Sequence, residues 1–314
     1  PHSMVCDAAG NLIFAGRSNS NNYPGTSPRT GRSDYDIVVS KLSANGASLL
    51  GSLSLGGTND DGMNIRGKYF NPTGDDDTRR NYGDDARSEV ILDADGNIVV
   101  ASCTQSLNFP VSVGAFQTTF GGGVAGAMKL PQDGVILKFN STLTTTLFSS
   151  FFGGSGNDAC FVVAQDPITR NYYIGGATTS TNLPGDKSNT INSTYQGGAT
   201  DGFVTQINNT GSAILKTCYF GTSGTDLVYG VQFDRLGFPY IMGTTTGDWP
   251  IIAAPFNNPG SKQFIGKLQP NLSAYVYSTI FGRSSSLPNL SPTAFLVDRC
   301  ENVYVSGWGG GINV

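Results

Sequence analysis

The chain has 314 residues and a formal net charge of −4, and because its basic residues form no cluster it is not expected to bind nucleic acid. Its longest apolar runs are about five residues, too short to cross a bilayer, so membrane insertion is not expected. Glycine is abundant, runs of strong helix formers are absent, and Thr, Ser, Val, Ile, Phe and Tyr predominate. This composition predicts an all-β protein whose short strands are joined by tight turns.

The first predicted element is a pair of apolar strands, a and b, joined by a turn of the Asp-x-x-Gly-Asn type. It recurs along the chain as MVCDAAGNLIFAG, VILDADGNIVVAS, VVAQDPITRNYYIGG, VQFDRLGFPYIMG and FLVDRCENVYVSG. Aspartate accepts backbone hydrogen bonds in such turns, and Gly or Asn tolerates a positive φ. The third and fourth copies depart from the pattern, with Pro167 and Phe238 in the turn. Strand b ends before a proline, which cannot donate to a sheet ladder; these prolines are Pro24, Pro110, Pro184 and Pro250.

A second pair of strands, c and d, follows each of the first four a–b pairs. Strand c contains a lysine-type residue, and 15 residues later a glycine ends strand d. The pairs are Lys41/Gly56, Lys138/Gly153, Gln206/Gly221 and Lys267/Gly282. An aspartate lies five residues after the glycine in three copies, at Asp61, Asp158 and Asp226, whereas the fourth has Leu287. We expect these aspartates to cap the d–a turns. Because strand d turns outward at Gly153 and Gly221, we predict a positive φ at both.

Four antiparallel strands per repeat, copied along the chain, predict a β-propeller built from four-stranded blades. The expected blades cover about 1–60, 88–157, 158–225, 226–286 and an incomplete 287–314, within one partial propeller spanning 1–314. These make about 4.5 blades, and the leftover strands favour a ring of roughly seven. Since the first residues, PHSMVC, already read as a strand, we interpret the chain as a piece of a longer protein.

The repeats carry a family resemblance. GGSGNDACFVVAQDP, NYYIGGATTSTNLP and DGVILKFNSTLTTTLFSSFFGG resemble the bacterial SBBP-type β-propeller repeat, and the likeness covers nearly the whole chain. DRCENVYVSGWGG is similar to repeats in large secreted surface proteins of gliding-type Bacteroidetes, which often use type IX secretion. The resemblance implies an extracellular or cell-surface location and an adhesin-like binding or structural role. The partners it implies are a cell-surface protein, a polysaccharide, or components of a secretion or surface assembly.

Two insertions point to a binding site. In a propeller the b–c and d–a connections leave the same end of every blade, here termed the insertion end, and the insertions 62–87 and 111–132 both fall there. Variable loops on a rigid scaffold are where binding commonly occurs. The insertion 62–87 interleaves acids, arginines and aromatics, and its candidate binding residues are Tyr69, Phe70, Asp75, Asp76, Asp77, Arg79, Arg80, Tyr82, Asp84 and Asp85. The alternative is a solvated loop with internal salt bridges.

No cofactor is expected except Ca²⁺, which carboxylate clusters bind. The candidate ligands are Asp75, Asp76 and Asp77, together with Asp93 and Asp95 of the sequence DADGN. That sequence resembles the start of a calcium loop, but Thr104 stands where the EF-hand pattern needs glutamate, so a turn role is favoured. Trp249 and Trp308, near the ends of b strands, would either stack on sugars or pack within the protein.

Catalysis is not expected. The only histidine is His2, so Ser-His-Asp and Cys-His catalysis and histidine-ligated metals are excluded within these residues. The five cysteines form no CxxC pair and are expected to be buried thiols, with a disulfide at Cys300 as the alternative. The competing function is a polysaccharide-active hydrolase or lyase that uses carboxylates of the insertion end. Two carboxylates about 5–10 Å apart and open to solvent would favour hydrolysis.

Overall fold

The computed structural model describes residues 1–26, 34–64, 87–123 and 130–309. The regular elements in these ranges are all β-strands, which confirms the all-β fold class. The strands are β1 (Ser3–Cys6), β2 (Leu12–Ser18), β3 (Asp36–Leu42), β4 (Leu49–Leu55), β5 (Glu89–Leu92), β6 (Ile98–Thr104), β7 (Asp133–Phe139), β8 (Thr146–Phe152), β9 (Asp158–Gln165), β10 (Tyr172–Thr178), β11 (Asp201–Ile207), β12 (Ile214–Phe220), β13 (Asp226–Phe233), β14 (Pro239–Thr245), β15 (Gln263–Leu268), β16 (Tyr275–Phe281), β17 (Leu290–Val297) and β18 (Val303–Gly309). Within the described ranges, no helix has the length and apolarity to cross a membrane.

The strands form antiparallel sheets in series. Four sheets have four strands each, in the orders β1-β2-β3-β4, β5-β6-β7-β8, β12-β11-β10-β9 and β13-β14-β15-β16, and a fifth pairs β17 with β18. Strands that follow one another in the sequence are therefore neighbours in the sheet, as in the blade of a propeller. This is the propeller-like fold that the repeats predict, whereas the ring of roughly seven blades stays a prediction.

The chain divides into two compact units, each with its own core. The first comprises 1–163 with 210–213, and the second 164–209 with 214–314. The core of the first is mainly aliphatic, with Val39, Val100 and Leu137 fully or almost fully buried. The second is richer in aromatic rings, such as Tyr173, which meets Phe233 edge-on at a centroid distance of 4.8 Å. Apolar residues at alternate strand positions supply these cores, as the period-2 pattern requires.

The lysine-type residue of strand c lies at a bulge in every complete sheet. The strand register shifts between Lys41 and Leu42, Lys138 and Phe139, Gln206 and Ile207, and Lys267 and Leu268. A bulge re-aims the side chain next to it. The lysines pair with the aspartate of the a–b turn, with Nζ–Oδ2 distances of 2.9 Å for Lys41–Asp7, 2.9 Å for Lys138–Asp93 and 2.8 Å for Lys267–Asp234. In the third repeat, which has Gln206, the Thr169 hydroxyl donates to Asp166 instead, at 2.6 Å.

The a–b turns have the predicted chemistry. In the second repeat, Asp93 Oδ1 accepts the N–H groups of Asp95 and Asn97 at 2.9 and 2.8 Å, and Oδ2 accepts the Asn97 side-chain amide at 3.1 Å. The residue before the Asn-type position has a positive φ, which is 79° at Gly96. Non-glycine residues carry this φ in two copies, at Arg170 (63°) and Glu301 (66°). The Asp-x-x-Gly-Asn motif is thus a turn whose aspartate also receives the lysine of strand c.

In the second and third complete sheets, glycine at the second position of strand c lets the next sheet approach. A Cβ at Gly134 would lie 3.1 Å from the backbone nitrogen of Cys160 on β9, and one at Gly202 would lie 3.1 Å from that of Val228 on β13. Cys103, Cys160 and Cys218 are buried free thiols, as expected, while Cys6 and Cys300 are free and exposed. Burial raises the pKa of Cys103 to about 12. The buried cysteines therefore act as small apolar side chains.

Candidate functional site

The predicted binding loop lies outside the described residues. All ten candidate binding residues fall between 65 and 86, and so do the calcium candidates Asp75, Asp76 and Asp77. Asn64 and Arg87 are the described residues on either side of this segment. The candidate site in the described residues is therefore the part of the insertion end from which this segment departs.

Three aspartates cap the d–a turns, as the sequence predicts. Each accepts, on Oδ2, the backbone N–H of the residue four positions before it: Gly57 to Asp61 at 2.7 Å, Gly154 to Asp158 at 2.8 Å, and Thr222 to Asp226 at 2.7 Å. Asp61 also accepts from the hydroxyls of Thr104 and Ser106. Each aspartate thereby fixes the path of the chain from one sheet into the next.

A second set of aspartates, at the start of strand c, was not singled out as functional by the sequence analysis. Asp133 Oδ2 accepts the N–H of Gly121 at 2.6 Å, and Asp201 Oδ2 accepts that of Gln196 at 2.6 Å. Gly121 and Gln196 both belong to b–c connections, so these carboxylates fasten the connection to the sheet. The signal that could have found them is an aspartate at the first residue of strand c in three repeats, the third being Asp36.

The two sets of aspartates meet at the glycine that ends strand d. A Cβ at Gly153 would lie 2.5 Å from Asp133 Oδ1 and 2.7 Å from Asp158 Oδ2. Gly56 lies in the same way between Asp36 and Asp61, and Gly221 lies against Asp201. The predicted positive φ at Gly153 and Gly221 is wrong, since neither residue has one; among these glycines only Gly282 does, at 103°. Glycine is needed because a side chain would occupy the space of the carboxylates.

Burial makes these carboxylates weak acids. It raises the pKa of Asp133 to about 8, and the neighbouring Asp158 carboxylate adds to the effect. Both side chains are fully buried, and Asp133 Oδ1 has no hydrogen-bond partner. Burial likewise raises the pKa of Asp61 to about 7, and the neighbouring Asp36 carboxylate raises it further. Burial also raises the pKa of Asp201 to about 7, with a further contribution from the Asp226 carboxylate. Two interacting carboxyl groups titrate as a pair, so each pair holds about one proton near neutral pH.

The fourth complete sheet lacks such a pair. Lys262 stands before β15 where the other copies have aspartate, and its Nζ donates to the carbonyl of Gly247 at 2.7 Å. At the end of strand d, a Cβ added to Gly282 would overlap Gln263 Oε1 and lie 3.4 Å from Asn289 Oδ1. Neutral amides thus replace the carboxylates at this position. Without two like charges, no proton has to be shared there.

Buried amides join the roots of the two insertions within the first unit. The Gln132 side-chain amide donates to Asn64 Oδ1 at 2.8 Å and to the carbonyl of Asp158 at 3.2 Å. The Gln132 backbone N–H donates to Asn157 Oδ1 at 3.2 Å. All four residues are buried. Gln132 Oε1 has no hydrogen-bond partner among the described residues, but the N–H donors of Gln132 connect the roots of the insertions 62–87 and 111–132 through a shared buried base.

The remaining predicted residues have structural contacts. The Asp93 carboxylate is occupied by its turn and by Lys138, and Asp95 is exposed. In the described ranges, no group of three or more His, Cys, Asp or Glu side chains is arranged to hold a metal ion. Trp249 packs internally. Its ring stacks on that of Phe264 with the ring centroids 3.5 Å apart, and its Nε1–H donates to Ser278 Oγ at 2.9 Å. Trp308, on β18, is half exposed.

Comparison with known proteins adds no family: no protein-family model matches the chain, and no curated protein matches it. The fold and the insertion end together define a propeller-like scaffold of four-stranded sheets whose connections are fastened by buried carboxylates.

Proposed function

We propose that this chain is a non-enzymatic binding or structural module of a large secreted bacterial protein. In this proposal it acts at the cell surface, adhesin-like, and its insertion end contacts a surface protein or polysaccharide. The observation that carries it is the shared base of the two insertions, where Gln132 bonds to Asn64 and Asp158. Precise recognition needs loops held by rigid elements, and this base is buried and hydrogen-bonded.

The carboxylate pairs support a binding role over a hydrolytic one. A glycosidase needs two carboxyl groups that reach the substrate. Asp133, Asp158, Asp201 and Asp226 are fully buried, and each already receives backbone N–H groups from the loops. These carboxylates therefore anchor the loops to the sheets and are not presented to a ligand. The competing polysaccharide hydrolase or lyase would draw its acids from the insertion 62–87.

The resemblance to secreted surface repeats supports the location. Low charge and exposed apolar side chains on rigid sheets are compatible with a surface module that assembles with others. Components of a secretion or surface assembly are therefore a second class of partner, and Ca²⁺ is the ion that the aspartates of the loop would bind.

The test is a binding screen against polysaccharides and bacterial surface proteins, run with Ca²⁺ and with chelator. The informative variant replaces 65–86 with a short Gly-Ser linker. The matched control is Leu50→Ser, an exposed position at the start of β4, at the opposite end of its sheet. Circular dichroism and thermal melting verify that both variants fold.

We expect the wild type and Leu50→Ser to bind one class of partner and the loop variant to lose it. Sensitivity to chelator would identify the loop aspartates as a calcium site. Turnover of a polysaccharide that disappears with the loop would establish the enzyme instead. If no class binds the intact protein, recognition by the insertion end is refuted.

A further inference from the structure

Lys267, on strand c of the fourth complete sheet, lies between two carboxylates. Its Nζ is 2.8 Å from Asp234 Oδ2 and 2.7 Å from Glu301 Oε2. Asp234 belongs to the a–b turn of the same sheet, whereas Glu301 lies in the turn between β17 and β18. The Asp234 carboxylate is fully buried and the Lys267 side chain nearly so, while Glu301 is partly exposed. A primary amine, a carboxyl carbon and a second carboxylate that can carry a proton are thus held together.

The fourth a–b turn departs from the others at Phe238, which replaces the asparagine of the motif. In three other turns the side-chain amide of that asparagine donates to the aspartate Oδ2, at 2.9 Å on Asp7, 3.1 Å on Asp93 and 3.0 Å on Asp298. Phenylalanine cannot donate, so it leaves this oxygen of Asp234 to the lysine. The Phe238 ring centroid lies 4.9 Å from Lys267 Nζ, and that of Tyr240 lies 5.1 Å away. The two rings cover the ammonium group and help to exclude water from it.

The other oxygen of Asp234 is held by backbone N–H groups. Oδ1 accepts those of Leu236 and Phe238 at 2.9 and 3.0 Å. Two N–H groups aimed at one oxygen stabilise the negative charge that develops there when a nucleophile attacks the carboxyl carbon. Oδ1 therefore has the surroundings of an oxyanion, and Oδ2, beside the lysine, is the oxygen that can leave.

The ion pair is the starting state of this group. Burial opposes the ionisation of both partners, but their hydrogen bonds outweigh it: the bond to Lys267 lowers the pKa of Asp234, and the bonds to Asp234 and Glu301 raise the pKa of Lys267. The amine becomes a nucleophile only when it gives up a proton. Glu301 is placed to take that proton, since its Oε2 accepts a hydrogen bond from Nζ at 2.7 Å.

We propose that Lys267 and Asp234 condense to an amide bond between Nζ and Cγ, with Glu301 as the proton carrier. Glu301 takes a proton from the ammonium group, and the amine attacks Cγ. The bond from Nζ to Cγ forms, the bond from Cγ to Oδ2 breaks, and Oδ2 leaves as water with two of the three ammonium protons, one of them returned by Glu301. The third proton stays on the amide nitrogen, so no oxidant, reductant or other reactant is needed. The bond ties strand c to the a–b turn of its own sheet and does not depend on the function proposed above.

The experiment measures the mass of the full chain after incubation for several days at neutral pH, first intact and then after denaturation and tryptic digestion. Condensation lowers the intact mass by one water molecule. Trypsin does not cut after an acylated lysine, so we expect a branched peptide that joins 217–235 to 263–283 and is uncut after Lys267. Loss of water by cyclisation at an Asp-Gly sequence changes the intact mass equally but gives no branched peptide.

Three comparisons separate the bond from a stable ion pair. Lys267→Arg keeps the positive charge but has no primary amine, so it should give no branched peptide. Glu301→Gln should form the bond at least about tenfold more slowly, because the proton carrier is lost. The pair of Lys41 and Asp7 is the internal control and should stay unlinked, because the other partner of Lys41 is the carbonyl of Ser141, which cannot carry a proton. Circular dichroism verifies that both variants fold.

The wild-type digest decides the proposal by itself, so a variant that fails to fold does not leave it open. An unlinked Lys267 after the incubation would overturn the bond and leave a salt bridge alone. A branched peptide that forms equally fast in Glu301→Gln, or a bond between Lys41 and Asp7, would overturn the role of Glu301.

Discussion

Asp133→Asn is the sharpest test of the buried carboxylate pairs. Asparagine keeps a carbonyl oxygen that can accept the Gly121 N–H, but it cannot ionise. The variant therefore keeps the shape of the pair and removes the charge repulsion. We expect it to be more stable than the wild type at alkaline pH, although it alters a fully buried residue.

The sign and size of the effect of pH on stability follow from proton linkage. Asp133 has a folded pKa of about 8 against an ordinary 3.8, so between these values the folded state binds more protons than the unfolded state. Its contribution to stability is therefore greatest at low pH and falls as pH rises from about 4 to 8. Each pKa unit corresponds to about 1.4 kcal/mol, so a shift of this kind opposes folding by roughly 3–6 kcal/mol at pH 9.

Urea unfolding of wild type and Asp133→Asn at several values between pH 5 and 9 measures this effect. The difference between the two isolates this pair, because the pairs at Asp61 and Asp201 titrate in both proteins. Asp95→Asn, an exposed position in the same sheet, is the control and should follow the wild type. Parallel pH profiles for wild type and Asp133→Asn, or a variant less stable at pH 9, would refute the raised pKa of Asp133.

Three further predictions concern stability and reactivity. Gly153→Ala should lower the free energy of unfolding by more than about 2 kcal/mol, because the added Cβ meets two carboxylate oxygens. Gly96→Ala, at a residue with a positive φ but open space around it, should lower it by about 1–2 kcal/mol. Equal losses for the two variants in thermal melting would contradict this. Lys138→Met should lower the free energy of unfolding by about 3 kcal/mol, because it leaves the buried carboxylate of Asp93 without its cation. In native protein at pH 8, a thiol reagent should label the exposed Cys6 and Cys300 quickly and the buried Cys103 only after denaturation. Fast labelling of Cys103 in the native protein would contradict its burial.

The sheets could be predicted from the sequence because their signals are local. Alternating apolar residues, the Asp-x-x-Gly-Asn turn and the closing proline all act within about 15 residues, and the four-stranded order follows from them. The spacing of Lys138 and Gly153 was also readable, but the contacts that explain it were not. Lys138, on strand c, reaches the aspartate of the a–b turn, which lies 45 residues earlier in the sequence.

The error at Gly153 has a physical reason. A recurring glycine shows that a side chain is excluded, but two causes leave the same mark: a positive φ, or a neighbour where the Cβ would be. Here the neighbours are Asp133 and Asp158, which lie 20 residues before and five after the glycine. Only the three-dimensional structure, in which both carboxylates lie beside Gly153, distinguishes the two causes. The binding role of residues 69–85 stays a prediction, since those residues lie outside the described ranges.

The carboxylate pairs also change the charge that the folded molecule presents. The formal net charge of −4 counts every aspartate as ionised. If three pairs each retain a proton and buried Glu89, whose pKa burial raises to about 7, retains another, the folded chain near pH 6 carries a net charge of about zero, while the carboxylates of the unfolded chain stay ionised. Folding then takes protons from the buffer, and the folded protein has a higher isoelectric point than its composition indicates. In weakly acidic surroundings it would approach a negatively charged surface with little long-range repulsion.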